Sequence, residues 1–154
     1  MPLVETGARA VIGAVFGPTS EGETAYARHL LRHLGPDMLV LWDKGLDANA
    51  FLAAVIGTGA QFLGRLRANR HAPVPDRLTD GSYLSVIATV PVRIGEAKIA
   101  VTRKDGTSFT GSYRLATTLP CARHYPAPAL VTLCQAARRR GSVRGGARIG
   151  VPDH

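Results

Sequence analysis

The stretch Met38-Leu39-Val40-Leu41-Trp42-Asp43-Lys44-Gly45 constrains this chain more than any other. Five apolar residues run without interruption into an acid, a lysine and a glycine. An apolar run with no polar alternation reads as a strand buried on both faces. Asp43 follows it directly, at the carboxyl end of the strand, where α/β sheets place their chemistry. Asp43 is therefore the first candidate functional residue. A turn cap is the competing reading, because Asp and Gly are common turn residues.

The flanking segments alternate in type. Residues 8–16 read as a strand ending at Gly17-Pro18, with Leu3-Val4 closing an earlier one. The N-cap residues and first-turn acids of 19–24 predict a helix over 23–34. Tyr26, Leu30, Leu31 and Leu34 form its inward stripe, and Gly35-Pro36 stops it. After the strand at 38–42, Asp47-Ala48-Asn49 opens a helix over 48–58 that turns Phe51, Leu52, Val55 and Ile56 inward. Residues 61–67 form the next strand. Strands alternating with helices predict a sheet covered on both faces.

Beyond Arg70 the texture changes. Pro73 and Pro75 break the chain, and three strands are expected over 82–89, 92–102 and 108–118. Asp105-Gly106 is a strong hairpin signal between the last two. An apolar helix is expected to begin at Ala129. Residues 138–148 then carry five arginines and no acid, a composition expected to stay disordered.

Charge bounds the partners. Lys+Arg number 19 against 11 for Asp+Glu, a net charge of +8. Sixteen of the 19 are arginine, the better bidentate phosphate ligand. The balance favours polyanions, nucleic acid above all, although GC-rich codons also enrich arginine. Arg65 and Arg67 share a strand face by their i, i+2 spacing. With Arg70 they are candidate DNA-binding residues, and a solvated strand edge is the bland alternative. No apolar stretch is long enough for a membrane span, and the start lacks a secretory pattern. Cys121 and Cys134 lack metal-ligand spacing. A reduced cytoplasmic setting is the default.

Other chemistry has little support. His29 and His33 lie four apart, but no third ligand completes a metal site, so they read as surface histidines. His71, His124 and Tyr125 neighbour prolines and are expected in loops. Neither a phosphate-binding glycine loop nor a nucleophile elbow is present. Trp42 alternates away from Asp43 and reads as core.

Taken together, Leu39-Val40-Leu41-Trp42-Asp43-Lys44-Gly45-Leu46-Asp47 resembles the DDE transposases of bacterial insertion sequences, in the branch named for insertion sequence number four. The segments Ala14-Val15-Phe16-Gly17-Pro18, Gly22-Glu23-Thr24, Gly64-Arg65-Leu66-Arg67 and Asp80-Gly81-Ser82-Tyr83 extend the likeness over residues 3–133. The resemblance implies an RNase H-like α/β fold with an antiparallel β insertion over 71–120, followed by a basic tail over 134–154. It implies DNA transposition by metal-dependent strand cleavage and transfer, usually with Mg²⁺, by proteins that act as dimers on paired DNA ends. Two such metals activate the attacking oxygen and stabilise the leaving one, and Mg²⁺ prefers oxygen ligands. On this likeness Asp43 is the second acid of the triad, both catalytic and metal-binding.

The departures are specific. Glu5 is the sole acid before the strand expected at 8–16, and it does not match the family's first aspartate. No glutamate follows Glu96, and the one acid beyond Leu133 is Asp153. The expectation is an inactive fragment of such a catalytic domain, which a frameshift beyond Leu133 accounts for. The alternative is a non-enzymatic nucleic-acid-binding protein that uses Arg65, Arg67, Arg70 and the tail arginines 138–148.

Overall fold

The strand expected around Val40 is the middle of the molecule. The computed structural model describes residues 1–5, 10–18, 20–42, 45–102, 105–139 and 147–150. The fold is α/β. Strands β1 (Pro2–Glu5) and β2 (Val11–Ala14) precede helix α1 (Glu23–Leu30) and a 3-10 turn at Leu31–His33. Strand β3 (Leu39–Trp42), helix α2 (Asn49–Gly57) and strand β4 (Gln61–Arg65) follow. Next come β5 (Asp76–Arg77), β6 (Tyr83–Ile87), β7 (Val90–Thr102) and β8 (Ser108–Thr117). Helix α3 (Ala127–Arg139) and strand β9 (Ala147–Gly150) end the described chain. Among the described residues the strands form one nine-stranded mixed sheet, ordered β2-β1-β9-β3-β4-β8-β7-β6-β5.

All four residues of β3 are buried, as an unbroken apolar run requires. Side chains alternate across the sheet, so β3 feeds two cores. Val40 and Trp42 join Phe62 and the α2 residues Phe51, Leu52 and Val55 on one face. Leu39 and Leu41 join Leu63, Leu115, Leu119 and the α3 residue Leu130 on the other. β3 and β4 run parallel, and α2 is the crossover that a parallel pair needs.

The parallel pair is keyed by one close approach. Trp42 stands in register with Gly64, and a Cβ built on Gly64 would overlap the indole. The indole packs edge-on to Phe51 (centroids 5.8 Å apart) and tilted against Phe62 (4.9 Å). Its Nε1 is buried without a hydrogen-bond partner. Packing alone therefore holds this ring.

Several expectations need correction. The helix expected over 23–34 ends at Leu30 and tightens into the 3-10 turn. Its inward face is carried by Ala27 and Leu30, while Tyr26 is half-buried and donates its hydroxyl to the Pro18 carbonyl. The strand expected over 8–16 is only Val11–Ala14 among the described residues, and Phe16 is exposed. The antiparallel strands expected beyond Arg70 continue the main sheet. β8 pairs antiparallel with β4, so β5 to β8 extend the same sheet. Thr117 helps this join, since its hydroxyl donates to the Phe62 carbonyl at 2.6 Å.

The tail also departs from the disordered expectation. Residues 134–139 complete α3. Residues 147–150 form β9, parallel to β1 and antiparallel to β3. Net charge and low apolar content argue against self-organised structure, but two flanking strands offer unpaired backbone groups that an extended segment satisfies whatever its side chains. Residues 140–146 and 151–154 lie outside the described residues.

A polar node ties the antiparallel strands to α3. Asp80 accepts the Ser82 N–H (3.1 Å) and hydroxyl through one oxygen and the Ala127 N–H (2.9 Å) through the other. Arg93 of β7, 1% exposed, lies 3.8 Å from Asp80 and donates to the Tyr125 carbonyl. Burial pushes the Asp80 carboxyl up, but the hydrogen bonds from Ser82 and Ala127 and the Arg93 charge outweigh it and hold it below its ordinary value.

Two outcomes are expected. Gly64→Ala destabilises the protein by about 3 kcal/mol, the upper range for overpacking, but by less than about 1 kcal/mol in a Trp42→Leu background, because the two positions compete for one space. Urea denaturation of the four proteins of this cycle checks it. For Asp80, a depressed folded-state value contributes stability above the unfolded pKa that is lost as pH falls through the folded one. Asp80→Asn is therefore expected to flatten the acid limb of a stability-against-pH curve measured below about pH 4, while lowering stability at neutral pH.

Candidate functional site

The carboxyl ends of β3 and β4 lie side by side, because the two strands are parallel and in register from Leu39↔Gln61 to Trp42↔Gly64. Parallel α/β sheets present their chemistry at this edge. Asp43, the expected catalytic and metal-binding residue, and Lys44 lie outside the described residues. Their described neighbour Gly45 has φ +118°, a conformation that L side chains rarely adopt. The carboxylate of Glu23, in the first turn of α1, stands beside it.

Asp47 organises this edge. Its sequence position predicts a helix-opening residue, yet the N-cap of α2 is Ala48, with no side-chain cap. The Asp47 carboxylate turns instead toward the loop after β4, and its side chain is only 3% exposed. One oxygen accepts the Arg67 backbone N–H at 3.1 Å, and the other meets the Arg67 Nε at 3.1 Å. Arg70 Nη1 lies 3.8 Å from the same carboxylate and donates to the Asp47 carbonyl. Arg70 Nη2 donates to the Asn49 side-chain oxygen.

Arg114 of β8 clamps the other side of the loop. Its Nη2 donates to the carbonyls of Arg67 (3.0 Å), Ala68 (2.9 Å) and Arg70 (2.6 Å). It stands in register with Glu96 of β7. Glu96 also receives the Tyr83 hydroxyl at 3.4 Å. Burial raises Tyr83 first, with the Glu96 charge adding to it and Arg114 opposing.

The three expected DNA-binding arginines are therefore brought to one edge but not into one row. β4 ends at Arg65, so the alternation expected to reach Arg67 stops there. Arg65 stands in register with Leu115 and stacks its guanidinium 3.8 Å over the Tyr113 ring. Arg67, 59% exposed along its side chain, is steered by Asp47. Arg70, 19% exposed, ties the loop to the start of α2. Arg114 and Asp47 are the residues that sequence reasoning missed. No local signal announced either, since no arginine lies between Arg32 and Arg65.

The donor set does not fit a pair of divalent ions among the described residues. Asp47 is engaged on both oxygens, and the guanidinium groups around it repel a dication. No cluster of three or more His, Cys, Asp or Glu forms among the described residues. His29 is exposed, whereas His33 is half-buried, packs on Gly13 and accepts from Arg32 Nε at 3.2 Å. Trp42 is core, 4% exposed. No described helix is long and apolar enough to cross a membrane. No known family model, curated protein or solved structure matches this chain.

Removing the Asp47 carboxylate leaves the partly buried Arg67 N–H without its acceptor and two arginines without their counter-charge. Asp47→Ala is expected to cost about 2–3 kcal/mol. Hydrogen exchange is expected to speed up in the amides of 66–70 and not in those of β6. Urea denaturation and exchange mass spectrometry check both parts.

Proposed function

We propose that this chain is a DNA-binding protein built on the catalytic-domain frame of the DDE transposases it resembles, and that it binds duplex phosphates without cutting them. One observation carries the binding reading. The β4–β8 side of the carboxyl edge holds four guanidinium groups, Arg65, Arg67, Arg70 and Arg114, against the carboxylates of Asp47 and Glu96.

These groups are held in place before any ligand arrives. Arg65 is braced on Tyr113, Arg67 and Arg70 on Asp47, and Arg114 on three carbonyls. Rigid guanidinium groups lose little freedom on meeting phosphate and suit its paired oxygens. Backbone phosphate contacts of this kind position a protein on a duplex but carry no sequence information. Binding is therefore expected to be general and salt-dependent.

The order of elements supports the ancestral part of the reading. A buried strand ends just before Asp43 in the sequence, a helix returns to a parallel strand, and antiparallel strands separate that strand from a helix at 127–139. The resemblance implies this same order. The chemistry does not follow it. The acid positions expected before and after Asp43 are not filled in this chain, since no glutamate lies beyond Glu96. One carboxylate leaves a divalent ion mostly water-bound, too weakly held for two-metal cleavage.

Fluorescence anisotropy with a labelled duplex tests the reading. The full chain is expected to bind with an affinity that falls steeply with salt, about 0.9 in log–log slope for each phosphate neutralised. Arg65→Gln with Arg67→Gln is expected to weaken binding by about 10- to 100-fold near 100 mM salt and to reduce the slope by roughly 2. If changing the tail arginines Arg138, Arg139, Arg140, Arg144 and Arg148 abolishes binding while this double variant binds unchanged, the edge is not the site. Nicking of supercoiled DNA that requires Mg²⁺ and disappears in Asp43→Ala would overturn the non-cutting part.

A further inference from the structure

Strands β7 and β8 run on past the rest of the sheet. β6 pairs with β7 only as far as Tyr83↔Ile94, and β4 pairs with β8 only as far as Arg65↔Leu115. From Ala97↔Tyr113 to Thr102↔Ser108 the two strands pair with each other alone among the described residues. They form a two-stranded ribbon there. Because β4 and β8 are antiparallel, the ribbon leaves the sheet beyond the carboxyl end of β4. It therefore overhangs the edge that holds the four arginines. At about 3.4 Å per residue, β8 from Arg114 back to Ser108 reaches roughly 20 Å past that edge.

One face of the ribbon continues the arginine set. Side chains alternate along a strand and directly paired residues share a face. Arg114 and Glu96, paired at the base, therefore define a face that runs on through Lys98↔Ser112, Ala100↔Thr110 and Thr102↔Ser108. The Thr102 and Ser108 hydroxyls lie 3.0 Å apart on it. All six of these outer residues are exposed, and Ala100 alone among them is apolar. Such a face offers hydrogen bonds rather than a surface for burial against another protein. At its base Arg114 clamps the loop of Arg67 and Arg70. The neighbouring acids are already engaged: Glu96 opposite Arg114, and Asp105 by the Thr107 N–H (2.9 Å) and hydroxyl (2.6 Å).

We propose that this ribbon enters the major groove of a DNA duplex seated on the arginine edge and turns Lys98, Thr110 and Ser112 toward the base edges. The inference rests on the phosphate-binding reading of that edge and adds a groove to it. A two-stranded ribbon fits the major groove of B-DNA, about 12 Å wide, and not the minor groove, about 6 Å wide. Its reach exceeds the groove's depth of about 8.5 Å. Hydroxyls both donate and accept, so Thr110 and Ser112 can bond to any base edge they meet. The contact therefore adds affinity with little preference for sequence.

Fluorescence anisotropy of the full chain with two duplexes of one sequence tests the proposal. One is unmodified, and the other carries glucosylated 5-hydroxymethylcytosine, which fills the major groove and leaves the phosphates in place. The filled duplex is expected to bind roughly 10-fold more weakly, the loss of two or so hydrogen bonds. Netropsin, which occupies the minor groove, is expected to leave binding of the unmodified duplex unchanged. The triple variant Lys98→Ala, Thr110→Ala, Ser112→Ala, at exposed positions, is expected to bind the two duplexes alike. Equal binding of both duplexes by the unaltered chain overturns the groove contact and leaves the phosphate edge standing. Full discrimination kept in the triple variant, or binding lost to netropsin, also overturns it. Failure to bind either duplex overturns both readings.

Discussion

The contact between the Trp42 indole and the bare backbone of Gly64 is the constraint on which the rest depends. It fixes the parallel register of β3 and β4, and that register puts two strand ends and their loops at one edge. A one-residue slip would reverse the faces of Val40 and Trp42 relative to Leu39 and Leu41. It would strip both cores at once. A large ring on one strand and no side chain on its neighbour therefore favours this register of the two strands.

From that register the arginine edge follows. The loop after β3 carries Asp47 and the loop after β4 carries Arg67 and Arg70, so the parallel pairing brings an acid and two cations together without any local sequence signal. Asp47 alone does not neutralise them. It orders them, and Arg114 orders the carbonyls of the same loop from the β8 side. A buried carboxylate with partly exposed arginine partners organises a cationic surface more than it adds to stability. The same separation of roles appears on the α3 face, where Asp80 anchors the start of the helix and Arg93 retains a nitrogen without an acceptor.

Much of the framework was legible from residue pattern. The run 38–42 announced a strand covered on both faces, and Trp42 was readable as core by alternation. Phe51, Leu52 and Val55 declared the inward face of α2, and Asp105-Gly106 marked the β7–β8 hairpin, whose register runs to Thr102↔Ser108. What escaped was decided by long-range pairing. Nothing local in 108–117 says that β8 will pair with β4 rather than close a separate module. Nothing in Ala147-Arg148-Ile149-Gly150 says strand, because its place between β1 and β3 comes from its neighbours' backbone. Asp47 beside a helix start looked like a cap, and only the fold shows the arginines that draw it away. Arg65 and Arg67 were expected on one face, but that inference needed a strand two residues longer than the one that forms.

The carboxyl edge of β3 and β4 is proposed above as a phosphate-binding surface. The most direct measurement is backbone-amide NMR of the full chain titrated with a short DNA duplex at low and high salt. The largest shifts are expected at the amides of 45–49, 65–70 and Arg114, fading together as salt rises. Shifts confined to β5 and β6 or to α3, or shifts at the edge that persist unchanged in high salt, would contradict it.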